Sequence, residues 1–169
     1  MVSGIDELIG QREIDSPEAM HAFGEQIGRM LRGGDLVVLT GALGAGKTTL
    51  TRGIGAGMGV RGPVQSPTFV IARTHPSLVG GAPLVHVDAY RLGSAAELDD
   101  LDLDLDRSVT IVEWGRGIVD VLERDRWWEI ELDREWGGTG LDNACGTAGP
   151  YAQELDANAP RLVTVSRRP

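Results

Sequence analysis

Gly41-Ala42-Leu43-Gly44-Ala45-Gly46-Lys47-Thr48 satisfies G-x-x-x-x-G-K-[ST] at every specified position, in the setting where that pattern has physical meaning. Upstream, residues 35–40 carry Leu36, Val37, Val38 and Leu39, an apolar run short and β-branched enough for a buried parallel strand. Downstream, the pattern turns helical from Lys47 through Leu50 and Ile54, until the glycines at 55, 57 and 59 are expected to stop it. Strand, glycine-rich loop and helix in this order make a phosphate loop.

Each residue type in the loop has a task. Glycines let backbone N–H groups ring the β- and γ-phosphates, helped by the positive end of the helix that follows. Lys47 reaches the β/γ oxygens as a point charge, and the Thr48 hydroxyl ligates the Mg²⁺ that bridges them. Lys47 is the only lysine in the chain, every other Lys/Arg position being arginine. A compositional drift toward arginine that spares one lysine, inside this motif, argues against an accidental glycine-rich turn.

Outward from the loop, Ser16-Pro17-Glu18 reads as an N-cap, a first-turn proline and a first-turn acid. Met20, Phe23, Ile27, Met30 and Leu31 follow at helical spacing, and Gly33-Gly34 closes that helix. Further strands are expected at 69–73, 84–90, 109–114 and 127–132, with helices near 95–98 and 118–124. A final run, 161–166, suits an edge strand pairing with 127–132. The alternation predicts an α/β, three-layer P-loop NTPase fold, with a mostly parallel central sheet and antiparallel edge strands near the C-terminus. Residues 136–160, rich in Gly, Ala, Asn and Asp, read as a long flexible loop within a single domain spanning 1–169.

Composition narrows the functional classes. A formal net charge of -9 and a pI near 4.7 oppose broad, sequence-independent binding to nucleic acid, so any RNA role is expected to be indirect. Cys145 is the single cysteine, which excludes an internal disulfide and suits a reducing, cytoplasmic setting. Residues 1–11 contain Asp6 and Glu7 and do not resemble a secretory signal, and no apolar run is long enough for a membrane span.

A magnesium nucleotide also needs carboxylates at the carboxyl ends of neighbouring strands. Glu113 ends the run Val109-Thr110-Ile111-Val112 and is the candidate second magnesium ligand. Asp88, in Val85-His86-Val87-Asp88-Ala89-Tyr90, is a candidate for orienting the attacking water; the alternative is a buried partner for Arg91 or His86. His86 itself reads as structural. Ser66-Pro67-Thr68 lies where nucleotide switches sense the γ-phosphate. Trp114 suits a nucleotide cover, a partner surface or the core equally. The alternating Asp and Leu residues over 99–106 read as a solvated acidic segment without chemistry.

The phosphate loop, Ser66-Pro67-Thr68-Phe69, His86-Val87-Asp88-Ala89-Tyr90-Arg91 and Val112-Glu113-Trp114, in this order, closely resemble the TsaE (YjeE) family over roughly residues 13–135. The resemblance implies a bacterial ATPase needed for threonylcarbamoyl adenosine in tRNA. Such a protein would bind the TsaB–TsaD dimer and use ATP hydrolysis to reset it between turnovers, without touching the adenosine itself. It implies roles by position: Leu43, Gly44, Ala45, Gly46, Lys47, Thr48 and Thr49 around ATP, and Thr48 and Glu113 on Mg²⁺. Lys47, Asp88 and Glu113 would serve hydrolysis, Thr68 the switch and Trp114 the nucleotide's flank, with Pro17 near the adenine. The acidic 99–106 stretch and the glycine-rich insertion before the last strand depart from the family pattern. Two other classes compete: a small-molecule kinase, for which no arginine cluster forms a lid, and a non-enzymatic ATP-dependent binding switch.

Overall fold

The computed structural model describes residues 4–67, 70–92, 94, 96–97, 100–114, 127–134 and 159–169. Its elements are a 3₁₀ turn Ile5–Leu8, β1 Gly10–Ile14, α1 Pro17–Met30, β2 Leu36–Gly41, α2 Lys47–Met58, β3 Ala72–His75 and β4 Leu84–Asp88. A second 3₁₀ turn Ala89–Arg91, β5 Val109–Glu113, β6 Trp127–Arg134 and β7 Arg161–Arg168 complete them. The seven strands form one sheet in the order β1-β7-β6-β2-β5-β4-β3. Its centre is parallel, with β6 and β5 flanking β2 and β4 beside β5.

Antiparallel pairing extends to both edges. β7 pairs with β6 as expected, yet it is not an edge strand: β1 covers its other side, with Gly10 opposite Val165 and Ile14 opposite Arg161. β1 has a single fully buried side chain, Ile14, so its strand character comes from pairing rather than from apolar alternation. The strand expected at 69–73 is displaced to Ala72–His75, where its register is set by antiparallel pairing with β4. β4 stops at Asp88, two residues short of expectation, because the Asp88 carboxylate accepts from Tyr90 N and caps the 3₁₀ turn.

α1 follows from its cap: the Ser16 hydroxyl accepts from Ala19 N at 3.1 Å, Pro17 occupies the first turn, and Met20, Phe23 and Ile27 face inward. It ends at Met30, before Gly33-Gly34. The glycines of α2 do not terminate it. The helix runs through Gly53, Gly55 and Gly57 to Met58, and only Gly59, in the left-handed conformation, caps it.

The reason is the contact with α1. A Cβ on Gly53 would land on the carbonyl oxygen of His21, one on Gly57 on that of Glu25, and one on Gly28 on that of Ile54. Backbone meets backbone along this seam, so glycines that weaken an isolated helix by about 1 kcal/mol each here permit the packing.

The sheet buries apolar side chains on both faces. Val37, Leu39, Ile111 and Ile130 pack under α1 and α2, whereas Val38, Val85, Val87 and Val112 form the opposite core. Among the described residues both helices lie on the first face. The second face is closed by Ala89, Leu92, Leu101 and Leu103, which gives the acidic 99–106 stretch its logic: its leucines turn inward while Asp100, Asp102, Asp104 and Asp106 stay exposed. Of the helix expected near 95–98, residues 96–97 are described and helical; the helix expected at 118–124 and the loop expected over 136–160, except its last two residues, lie outside the described residues.

Candidate active site

β2 delivers the chain into the loop at Gly41, and the loop closes onto the first turn of α2. Gly44 and Gly46 hold φ of 78° and 106°, a region that side chains disfavour, and a Cβ on Gly41 would sit 2.7 Å from the Leu132 carbonyl oxygen. Lys47 Nζ donates to the carbonyls of Gly41 at 2.7 Å and Ala42 at 3.0 Å. The Thr51 hydroxyl donates to the Lys47 carbonyl at 2.8 Å, tying the first two turns of α2 together.

The parallel centre of the sheet carries acids to the same end. Strand β5, beside β2, ends in Glu113, and β4, the next strand, ends in Asp88; the two face each other as Cα partners. Glu113 is buried, and its Oε1 accepts from His86 Nε2 at 2.8 Å. Of the two partners considered for Asp88, His86 is thus excluded. Asp88 instead has Arg91 Nε at 3.8 Å and Tyr90 N at 3.2 Å.

Charge and aromatic contacts close over the lysine. Its ammonium lies 4.3 Å from the centroid of Trp114, a cation–π distance, and Tyr90 packs against the indole at a tilt of 58° with centroids 5.9 Å apart. Trp114 adopts φ of 60°, rare for a bulky side chain, at the end of β5, where its indole lies over the Lys47 ammonium. At 38 % exposure it is a cover rather than a core residue. Burial pushes the Lys47 amine below its ordinary pKa, while Glu113 and then Asp88 pull it back.

These groups border a cavity of about 780 Å³, within the range of small-molecule sites. Leu43, Gly44, Gly46, Lys47, Thr48, Thr49, Asp88, Glu113 and Trp114, all singled out from sequence, line it together with Ser66, Tyr90 and Arg91. Pro17 is separate: it lines a smaller hollow of about 120 Å³ with Ala45, Met20 and Arg161, which shares Gly44, Gly46 and Thr49 with the main cavity. Thr68 lies outside the described residues.

Sequence reasoning gave no role to Tyr90 or to Arg161, which reaches the Gly44 carbonyl from 117 positions away. Tyr90 carries a local signal, since it stands two residues beyond Asp88. Arg161 carries none, because only the placement of β7 brings it near the loop.

Among the described residues, no group of three or more His, Cys, Asp or Glu side chains could hold a metal ion by itself. The donors lining the cavity include the hydroxyls of Thr48, Thr49 and Ser66 and the carboxylates of Asp88 and Glu113, hard oxygens of the kind that suits Mg²⁺ bound together with phosphate. No described helix is long and apolar enough to cross a membrane.

The family model "Threonylcarbamoyl adenosine biosynthesis protein TsaE" matches residues 14–139. The chain is 60% identical over 123 residues to the tRNA threonylcarbamoyladenosine biosynthesis protein TsaE of Streptomyces coelicolor, covering 71% of this chain and 82% of that one. It is 48% identical over 122 residues to the protein of the same name from Mycobacterium leprae, covering 67% and 75%. Among solved structures, Bacillus subtilis YdiB superposes with a TM-score of 0.60 at 27% identity, covering 92% of this chain and 82% of that one.

Proposed function

The chain belongs to the TsaE family of threonylcarbamoyl adenosine biosynthesis proteins, and from that premise we propose that it is a cytoplasmic, Mg²⁺-dependent ATPase that drives the TsaB–TsaD complex in tRNA modification. The observation that carries this reading is the convergence of Lys47, Glu113 and Asp88 on one cavity fronted by the glycine loop.

In this reading the loop N–H groups take the phosphates, and Lys47 exchanges the carbonyls of Gly41 and Ala42 for β/γ oxygens. Trp114, which covers the ammonium, must shift or share that face with the nucleotide. Thr48 and Glu113 would hold Mg²⁺, which when bound neutralises charge on the phosphates. Asp88 accepts a hydrogen from the attacking water and so aims its lone pair at the γ-phosphorus. The hollow beside Pro17 receives the adenine end. With an acidic chain, contact with tRNA is left to the partners.

The test is steady-state ATP hydrolysis with Mg²⁺, first by the chain alone and then with TsaB and TsaD from the same organism. Slow hydrolysis stimulated by the pair supports the proposal. Robust hydrolysis indifferent to the pair points to a free-standing ATPase or a kinase, and nucleotide-dependent association without hydrolysis points to a binding switch.

A further inference from the structure

His86 has no exposure at all, and it sits directly between apolar residues: Val85 and Val87 on either side, and Leu84 beyond, are buried with it. An imidazole is a poor choice for such a position unless its polar atoms are used. One is used: Nε2 meets Glu113 Oε1 at 2.8 Å, although the cross-strand Cα partner of His86 is Ile111 and not Glu113. The ring therefore leans along the strand toward the cavity. The other nitrogen, Nδ1, is buried without a partner. A carboxylate only accepts, so Nε2 is the donor in this bond.

We propose that His86 is a positioning residue for the nucleotide reaction: its one hydrogen bond fixes the Glu113 carboxylate so that the remaining oxygen faces the cavity, where a divalent cation bound with nucleotide would meet it. The inference rests on the Mg²⁺-nucleotide reading of the site. A residue chosen only to fill the core would not be polar, would not aim at the one buried acid of the cavity, and would not leave half its ring unsatisfied. Partners that orient a ligating carboxylate typically control metal affinity by 10–100-fold.

The experiment measures ADP binding calorimetrically, in EDTA and across a Mg²⁺ titration, with melting temperature recorded for each variant. His86→Leu is expected to raise the Mg²⁺ concentration for half-maximal effect by about 10–100-fold, with EDTA affinity within about twofold of wild type. His86→Gln, whose amide nitrogen reaches the Nε2 position, is expected to restore the Mg²⁺ response, whereas the shorter His86→Asn is not. Should the leucine variant fail to fold, the Gln and Asn variants still decide. Equal Mg²⁺ responses in Gln and Asn, or equal losses with and without Mg²⁺, would overturn the assignment. A wild-type chain whose ADP affinity ignores Mg²⁺ would instead remove the premise, and the two failures are thereby distinguished.

Discussion

Replacing Gly57 by alanine tests the seam on which the phosphate loop is mounted. The new Cβ would lie 2.9 Å from both Cα and the carbonyl carbon of Glu25, and closer still to that residue's oxygen, against an ordinary contact distance of 3.4–4 Å. Every one of those atoms is backbone of α1, so no rotamer change relieves the clash; the helices must part. Overpacking of this kind costs about 1–3 kcal/mol, and a clash against immovable backbone belongs near the top of that range. The helix-propensity gain of alanine over glycine returns about 1 kcal/mol. The expected net loss is about 2 kcal/mol, a fall in melting temperature of roughly 4–8 °C for a domain of this size. Thermal unfolding followed by far-UV circular dichroism measures it. Gly81→Ala, where the added methyl would meet only the Ser77 hydroxyl at 3.6 Å, is the control and should change stability by no more than about 0.5 kcal/mol. An unchanged or higher melting temperature for Gly57→Ala would refute the backbone-to-backbone approach of α1 and α2.

Lys47→Ala removes the one compact charge that the proposed function assigns to the phosphates; ATP affinity should fall by about 1.5–3 kcal/mol, roughly 10–150-fold, in equilibrium binding, and turnover with it. Wild-type affinity would displace the site. Asp88→Ala should keep ATP binding and lose about 10²–10⁴-fold of partner-stimulated hydrolysis; unchanged turnover would remove Asp88 from the mechanism. His75 supplies a pH prediction, because burial, then His86 and Arg73, hold its pKa below the ordinary 6.5, against a raising contribution from the Arg61 backbone. The unfolded chain therefore binds the proton more readily than the native one, so its contribution to stability is complete above about pH 6.5 and is lost as pH falls below that value. Urea unfolding at pH 7.5 and 5.5 should show a smaller acid loss in His75→Gln than in wild type, and equal losses would contradict the assignment.

Much of the site was legible because phosphate-loop chemistry is written in contiguous residues. Gly44 and Gly46 need the left-handed backbone, Lys47 and Thr48 follow Gly46 directly as the first residues of α2, and Ser16 and Pro17 announce α1 with their own side chains. Glu113 and Asp88 were readable for a related reason, since an acid closing an apolar strand of an open sheet marks the end where ligands bind. The misread glycines of α2 show the limit of local rules: the same residue ends a solitary helix and admits a neighbouring one, and which it does depends on α1.

What the sequence by itself determined is the local set: strand, loop, helix, the acids at the strand ends, and the four ordered motifs that place the chain in its family. Tertiary structure alone decided that β1 covers β7, that Trp114 roofs Lys47 with Tyr90 against its indole, that Arg161 reaches Gly44, and that His86 bonds Glu113 rather than Asp88. The physical reason is that these depend on which strands become neighbours and in what register. That choice is made by the burial of the whole sheet and is carried by no single stretch of residues.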